Sequence, residues 1–517
     1  MTPLGPKVIL NEPQFKVFTM TKQISALVCT ILFASFAMAD SRPATVLLVT
    51  DASLVKAWQP FVHWKTRQGK ATRILTTAQI KSKYKGDDIQ QMIRAACLDH
   101  INNHGTQWII LGGDSQPGGK GLVPDRDTPH VVMGQLKYPD IPTDLYYISE
   151  KDWDANDDGV YGEWKNDRDE IEYTNPKACI GRIPVRSPAD VKAYTQKVIA
   201  YESKYPSKTF AKQMIYTCPV QMAYPKLFVS GATVRQVWKD GKLQQFFAHK
   251  TPWDSKRPGD YELSPSNWVK MINDRSAGKL HMHGHGFLPV WVLEGDKTIN
   301  PRTVSALKNE NAYPVITTVS CFTGQYDAPK DPSITELMIR RPNGGAIAII
   351  APSREGVPIF SNRDDFRKMV TEGKMDGTTT SMTNFWKFGL KDDLTIGEAF
   401  RATKAAMAKD AKRHSGYHWC QCELNLLGDP TLDMRARDPM TPTVKAPSII
   451  AKGKQTITIE TDKRMTVCVW KGDEVYGTAS SPDGTFRIDV SPSTDGKMLL
   501  TVYGPSANTW TGTIVVK

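Results

Sequence analysis

The feature that most constrains the fold is an alternation of short apolar runs with helix-period segments along the first 430 residues or so. Runs at 44–50, 108–111, 214–217, 279–283, 315–320 and 346–351 are the length of buried strands, and amphipathic stretches stand between them. Strands that alternate with helices pair in parallel, because a parallel neighbour needs a crossover connection. The helix signals are explicit. Asp88 precedes a stretch with Ile89, Met92, Ile93, Ala96 and Ile101 on one face, which puts Cys97 in the core. Ser187-Pro188-Ala189-Asp190 supplies an N-cap, a first-turn proline and a capping acid. Thr395 and Glu398 have capping-box spacing.

Past Pro439, Pro442 and Pro447 the period changes to two. Short alternating strands follow, at 456–460, 466–470, 499–503 and 513–516, separated by Gly, Asp, Ser and Pro turns. The expected fold class is α/β: two parallel-sheet subdomains at 40–208 and 209–438, then a small immunoglobulin-like β-sandwich at 439–517. Residues 1–39 read as a signal peptide with its start at Met20. Lys22 supplies the basic region, Ile24 to Phe36 the apolar core, and Ala37-Met38-Ala39 the cleavage site. An exported protein is expected, secreted, periplasmic or at the cell surface, with membrane contact only during export.

The formal net charge is +12, but the basic residues are interleaved with 54 acidic ones and form no basic or basic-aromatic block. Nucleic-acid binding is therefore not expected. Seven cysteines follow the leader: Cys97, Cys179, Cys218, Cys321, Cys420, Cys422 and Cys468. An odd number leaves at least one thiol unpaired.

The chemistry concentrates in 279–327. One apolar strand ends in His283-Gly284-His285-Gly286. Asn300-Pro301 opens a short helix, and a second strand ends in Ser320-Cys321-Phe322-Thr323-Gly324. This is a βαβ unit. If its strands are neighbours, His285 and Cys321 emerge at the same carboxyl edge, where open α/β sheets bind ligands. A thiol is only partly ionised near neutrality, and an imidazole beside it can take its proton and later protonate a leaving amine. Backbone N–H groups of Gly286 and Cys321 are placed to receive a developing oxyanion. From spacing alone, a core cysteine and an unrelated loop histidine remain the alternative. His281, His283 and His285 on one strand also raise zinc, but the glycines break the alternation.

Gly284-His285-Gly286 with Trp291, and Ser320-Cys321-Phe322-Thr323-Gly324-Gln325-Tyr326-Asp327, resemble the histidine and nucleophile segments of the gingipains. The likeness extends through Val46 to Val49, Trp64-Lys65 with Gly69, Leu111-Gly112-Gly113-Asp114, Ile180-Gly181-Arg182-Ile183-Pro184 and Leu427-Gly428-Asp429-Pro430. It implies a caspase-like fold and a secreted cysteine endopeptidase working by a Cys321–His285 dyad through a thioester, with no cofactor for catalysis. Protein or peptide substrates and a monomer are expected. The family's histidine-orienting acid has no counterpart in Thr217-Cys218-Pro219-Val220-Gln221. Trp291, Arg354 and Glu355 are expected at the substrate pocket, with Glu355 either selecting a basic P1 residue or pairing with Arg354. An inactive binding scaffold and a sortase-like transpeptidase are the competing readings.

Asp152, Asp154, Asn156, Asp158 and Glu163 form a dense oxygen-ligand loop with partial calcium-loop spacing. Crowded carboxylates repel unless a cation joins them, so calcium is expected there as a structural ion.

Overall fold

The computed structural model describes residues 44–118, 120–132, 136–218, 242–247, 261–293, 297–359, 364–365, 376–391, 393–472 and 474–517. The leader expected at 1–39 and the segment Pro219 to Gln221 lie outside them. Among the described residues, no helix is long and apolar enough to cross a membrane.

The apolar runs form one sheet of eleven strands. In chain order these are β1 (Val46–Thr50), β2 (Thr72–Thr76), β3 (Trp108–Gly112), β4 (Cys179–Ile183), β5 (Gln213–Cys218), β6 (Lys242–Phe247), β7 (Tyr261–Glu262), β8 (Lys279–Met282), β9 (Val315–Thr318), β10 (Ala348–Pro352) and β11 (Leu424–Gly428). Their spatial order is β7-β6-β5-β8-β9-β10-β11-β4-β3-β1-β2. The expected subdomain sheets are thus continuous, with β11 as the joint. It runs antiparallel to β10 and meets β4 through Leu427 and Arg182, whereas the neighbouring pairs on either side are parallel. The carboxyl ends of β8, β9 and β10 share one edge, and β4 ends there too: Arg186, just past it, reaches the Ala328 carbonyl at 3.4 Å and Glu336 at 3.7 Å.

Helices cover both faces, and their ends are where the cap residues put them. Helix α1 (Val55–Arg67) precedes β2, and α2 (Ile89–Asn103) is capped by Asp88, which accepts from the Gln91 N–H at 2.8 Å. Cys97 in α2 is fully buried, as its place on the apolar face requires. Helix α3 (Pro188–Ser203) starts at the Ser187 cap, and α4 (Pro301–Ser305) at Asn300. Helix α5 (Ile396–Arg413) has the Thr395–Glu398 capping box, and α6 (Ser415–Glu423) leads directly into β11. Helix α6 carries Cys420 and Cys422. Both are free thiols, as are Cys97, Cys179, Cys321 and Cys468.

The last part is a β-sandwich. A five-stranded sheet is built from β12 (Ile449–Ile450), β14 (Met465–Lys471), β15 (Glu474–Ser481), β17 (Gly496–Tyr503) and β18 (Trp510–Val516). It faces the pair β13 (Gln455–Glu460) and β16 (Thr485–Val490). Ile457, Ile459, Phe486 and Ile488 from the pair share a core with Val467, Leu500 and Val502. The sandwich rests on the α/β body through polar contacts: Thr509 Oγ1 donates to the Glu202 carbonyl at 2.7 Å, and the Ser506 N–H donates to Asp433 at 2.8 Å.

Candidate active site

Strands β8 and β9 are adjacent and parallel, with Lys279 opposite Val315 and Met282 opposite Thr318. The Val319 N–H continues the ladder to the Met282 carbonyl at 3.2 Å. His285 and Cys321 each stand three residues beyond the last paired position, so the register delivers both to one edge. The two segments touch. A Cβ placed on Gly286 would lie 2.5 Å from Thr323 Cγ2, 2.7 Å from the Cys321 carbonyl oxygen and 2.8 Å from Ser320 Cβ. Only glycine permits that approach.

The loop that carries Cys321 is held from beneath. Phe322 has φ of 59°, a left-handed conformation that costs a non-glycine residue about 1 kcal/mol or more. Its N–H donates to the Arg354 carbonyl at 2.8 Å, and the Gly324 N–H to the Pro352 carbonyl at 2.8 Å. The Thr323 hydroxyl donates to the Ser320 carbonyl at 2.7 Å. The loop after β10 is thus the template on which the cysteine turn is fixed.

Cys321 is half-buried, with its Sγ 3.9 Å from the Gly356 carbonyl oxygen. Burial pushes its thiol up to about 11; the Gly356 contact opposes this, and the carboxylates of Glu423 and Glu355 add to it. His285 is exposed, and no hydrogen bond joins it to Cys321. Burial thus favours the neutral thiol, and the His285 imidazole is open to solvent. The hairpin formed by Gly286–Phe287 and Val290–Val292 places Gly286 opposite Trp291. The Val292 N–H donates to the His285 carbonyl at 3.0 Å. By the alternation of an antiparallel ladder, the N–H of Gly286 has no partner on that strand.

Three pocket expectations meet different outcomes. Trp291 is fully buried, edge-on to Trp268 with ring centroids 6.0 Å apart, so it belongs to the core and presents no surface to a substrate. Hairpin alternation turns it inward. Arg354 is also buried, because its guanidinium makes a two-pronged ion pair with Asp327 at 2.8 and 3.1 Å. Glu355 does not pair with Arg354. It is half-buried, accepts from the Tyr138 hydroxyl through Oε1, and leaves Oε2 without a hydrogen bond.

Sequence reading missed Glu423, Tyr138 and Gly356. Glu423 closes α6, is fully buried, and accepts from the Thr378 hydroxyl at 2.9 Å. Burial pushes its carboxyl well up. No local pattern marks it, since it reaches the thiol from a hundred residues downstream.

Of His281, His283 and His285, only the first lies on β8. His281 and His283 are buried, and burial pushes them down to about 3 and about 4. His281 Nδ1 meets Thr317 Oγ1 at 2.8 Å, while His285 is exposed. The side chains of the acidic loop are hydrogen-bonded to protein donors. Asp152 is taken by Arg94 at 3.1 Å, the Tyr146 hydroxyl at 2.7 Å and Gln91 at 3.2 Å. Asp154 accepts from the Asp158 and Gly159 N–H groups at 3.0 Å each, Asp158 from Val160, and Glu163 from Asn166. Asn156 donates to Asp158.

A family model described as Peptidase family C25 matches residues 39–435. The chain belongs to peptidase family C25. Within it, a Lys-gingipain of Porphyromonas gingivalis is 22% identical over 456 residues, which is 85% of this chain and 23% of that protein. Gingipain R2 of the same organism is 21% identical over 455 residues, 86% of this chain and 54% of that one. This C25 chain thus spans about a quarter to a half of the length of these relatives. The crystal structure of the Arg-specific cysteine proteinase gingipain R superposes with a TM-score of 0.66 and 19% identity, covering 92% of this chain and 98% of that chain. A complex of pro- and mature domains from Porphyromonas gingivalis matches with the same TM-score. The fold expected from the motifs, caspase-like with a β-rich C-terminal part, is the fold found.

Proposed function

We propose that this C25 family member is an exported cysteine endopeptidase with Cys321 as nucleophile and His285 as its proton carrier. The observation that carries this reading is the register of β8 against β9, which places both residues at equal offset on one edge with Gly286 against the Cys321 turn. As a peptide docks, the Cys321 proton passes to the imidazole and sulfur attacks the carbonyl carbon. The N–H groups of Gly286 and Cys321 receive the oxyanion. Collapse breaks the C–N bond, the amine leaves with the proton from the imidazolium, and a thioester remains. Water, deprotonated by His285, cleaves the thioester and restores the thiol. A dyad performs both steps without a third residue. The unpaired Oε2 of Glu355, in a side chain close enough to raise the Cys321 thiol, supports selection of a basic P1 side chain.

The test is mass spectrometry of the chain after brief exposure to electrophilic peptidyl inhibitors varied at P1. One adduct on Cys321, strongest with Lys or Arg at P1 and lost in His285→Ala, is expected. Absence of any adduct under reducing conditions would favour an inactive scaffold instead.

A further inference from the structure

At the C-terminal end of α2, away from the cysteine edge, Asp99, His100 and His104 present ligand atoms that all lie within 4.8 Å of one another. The spacing of His100 and His104 is one helical turn, so both imidazoles fall on one face, with ring centroids 4.7 Å apart. His104 Nε2 is 3.9 Å from Asp99 Oδ2. Among the described residues this is the one group of three or more His, Cys, Asp or Glu side chains so placed.

A second observation points independently to a ligand. His100 is fully buried, yet neither Nδ1 nor Nε2 has a hydrogen-bond partner. A buried imidazole with both nitrogens unsatisfied carries a desolvation cost that a native fold rarely leaves uncompensated. The remainder of the cluster is arranged as metal sites usually are. Asp99 Oδ2 accepts from the Tyr84 hydroxyl at 2.7 Å and Oδ1 from Asn103 at 2.8 Å, contacts that fix the carboxylate and leave further lone pairs open. Asp99 and His104 are partly exposed, which gives an ion an entry side and room for water as a fourth ligand. The helix C-terminus adds negative potential, opposing the positive charge of nearby Arg73 and Lys83.

We propose that Asp99, His100 and His104 form a binding site for a divalent transition-metal ion of the zinc class, holding the end of α2. Two imidazoles and one carboxylate suit zinc far better than calcium or magnesium, which take oxygen ligands. Zinc–nitrogen bonds of about 2.0 Å need the ligand atoms closer together than they stand, and rotation of the partly exposed His104 and Asp99 side chains supplies the movement.

The experiment uses the full chain carrying Cys321→Ala, so that the reactive thiol offers no competing site. After chelator treatment and desalting, zinc chloride is titrated calorimetrically and cobalt(II) by visible absorption. One equivalent of zinc and a four-coordinate cobalt spectrum are expected. His104→Ala, at a partly exposed position, should weaken binding roughly 100-fold, and Tyr84→Phe roughly tenfold, with unchanged metal-free melting curves. Failure to bind zinc stoichiometrically would overturn the proposal, as would equal affinity in His104→Ala. Either failure leaves the reading of Cys321 and His285 untouched, because that reading is tested by inhibitor adducts.

Discussion

Replacing Gly286 by alanine tests whether the contact between the two site segments matters. The added Cβ would meet the Cys321 carbonyl oxygen at 2.7 Å and Thr323 Cγ2 at 2.5 Å, where ordinary contact begins at about 3.4 Å. Two of the three atoms in its way are side-chain carbons, but the third is backbone. Rotation of Thr323 therefore cannot relieve the clash, and the His285 segment must move away from the cysteine turn by most of an ångström. Overpacking of this kind costs about 1–3 kcal/mol of stability. A displacement of about 1 Å between reacting groups can cost on the order of 100-fold in rate, or about 2.7 kcal/mol of transition-state stabilisation. The expected result is a kcat/KM about 100-fold lower on a fluorogenic peptide, with urea unfolding showing a smaller, separate loss. Wild-type kcat/KM in a variant that folds would refute the argument, since the segments could then separate without consequence.

Two further predictions concern the thiol and its support. Because burial holds the Cys321 thiol near 11 in the fold, alkylation by iodoacetamide should climb about tenfold per pH unit from 7 towards 10. A plateau below pH 8 would instead reveal a preformed thiolate–imidazolium pair. The unfolded thiol loses its proton first, near its ordinary 9.0, so the same group withdraws stability as pH rises from there through 11. In Asp327→Asn, Arg354 would remain buried without its carboxylate, at a cost of about 3–5 kcal/mol. Because the Arg354 carbonyl holds the Phe322 N–H, activity should fall together with the urea midpoint. A stable, fully active Asp327→Asn chain would contradict both claims.

The parts of the fold legible in the sequence were those governed by local rules. Strands buried on both faces read as continuous apolar runs, and caps at Asp88, Ser187, Asn300 and Thr395 fixed the helix starts. Strand β6, Lys-Leu-Gln-Gln-Phe-Phe, escaped notice because its mixed composition lacks both signals. The polar β15 escaped because its pairing partners, rather than its own side chains, make it a strand. At the site, Cys321 and His285 were legible because each ends an apolar strand and is followed directly or shortly by glycine. Trp291 was misplaced for a related reason. Closeness in sequence to the histidine said nothing of which hairpin face it occupied, and burial against Trp268 decided that. In the acidic loop, the donors that the fold brings to the carboxylates, above all Arg94 and the loop's own N–H groups, were not legible from a count of acids.

Strand β11 belongs by sequence to the second half of the chain, yet it fills the place beside β4 in the first. Until residue 428 has left the ribosome, β4 has an empty slot on one side and presents a bare row of peptide groups to its surroundings. Lys65 is short of a partner too: fully buried in the finished fold, it meets Glu202 at 2.8 Å and, just beyond that strand, Asp429 at 2.7 Å. Nascent chains that end soon after Glu202 therefore have both a sticky edge and a lysine lacking one of its two carboxylates. Synthesis must run nearly to the sandwich before the earliest strands can settle, so stalled or truncated products are the forms most prone to aggregate.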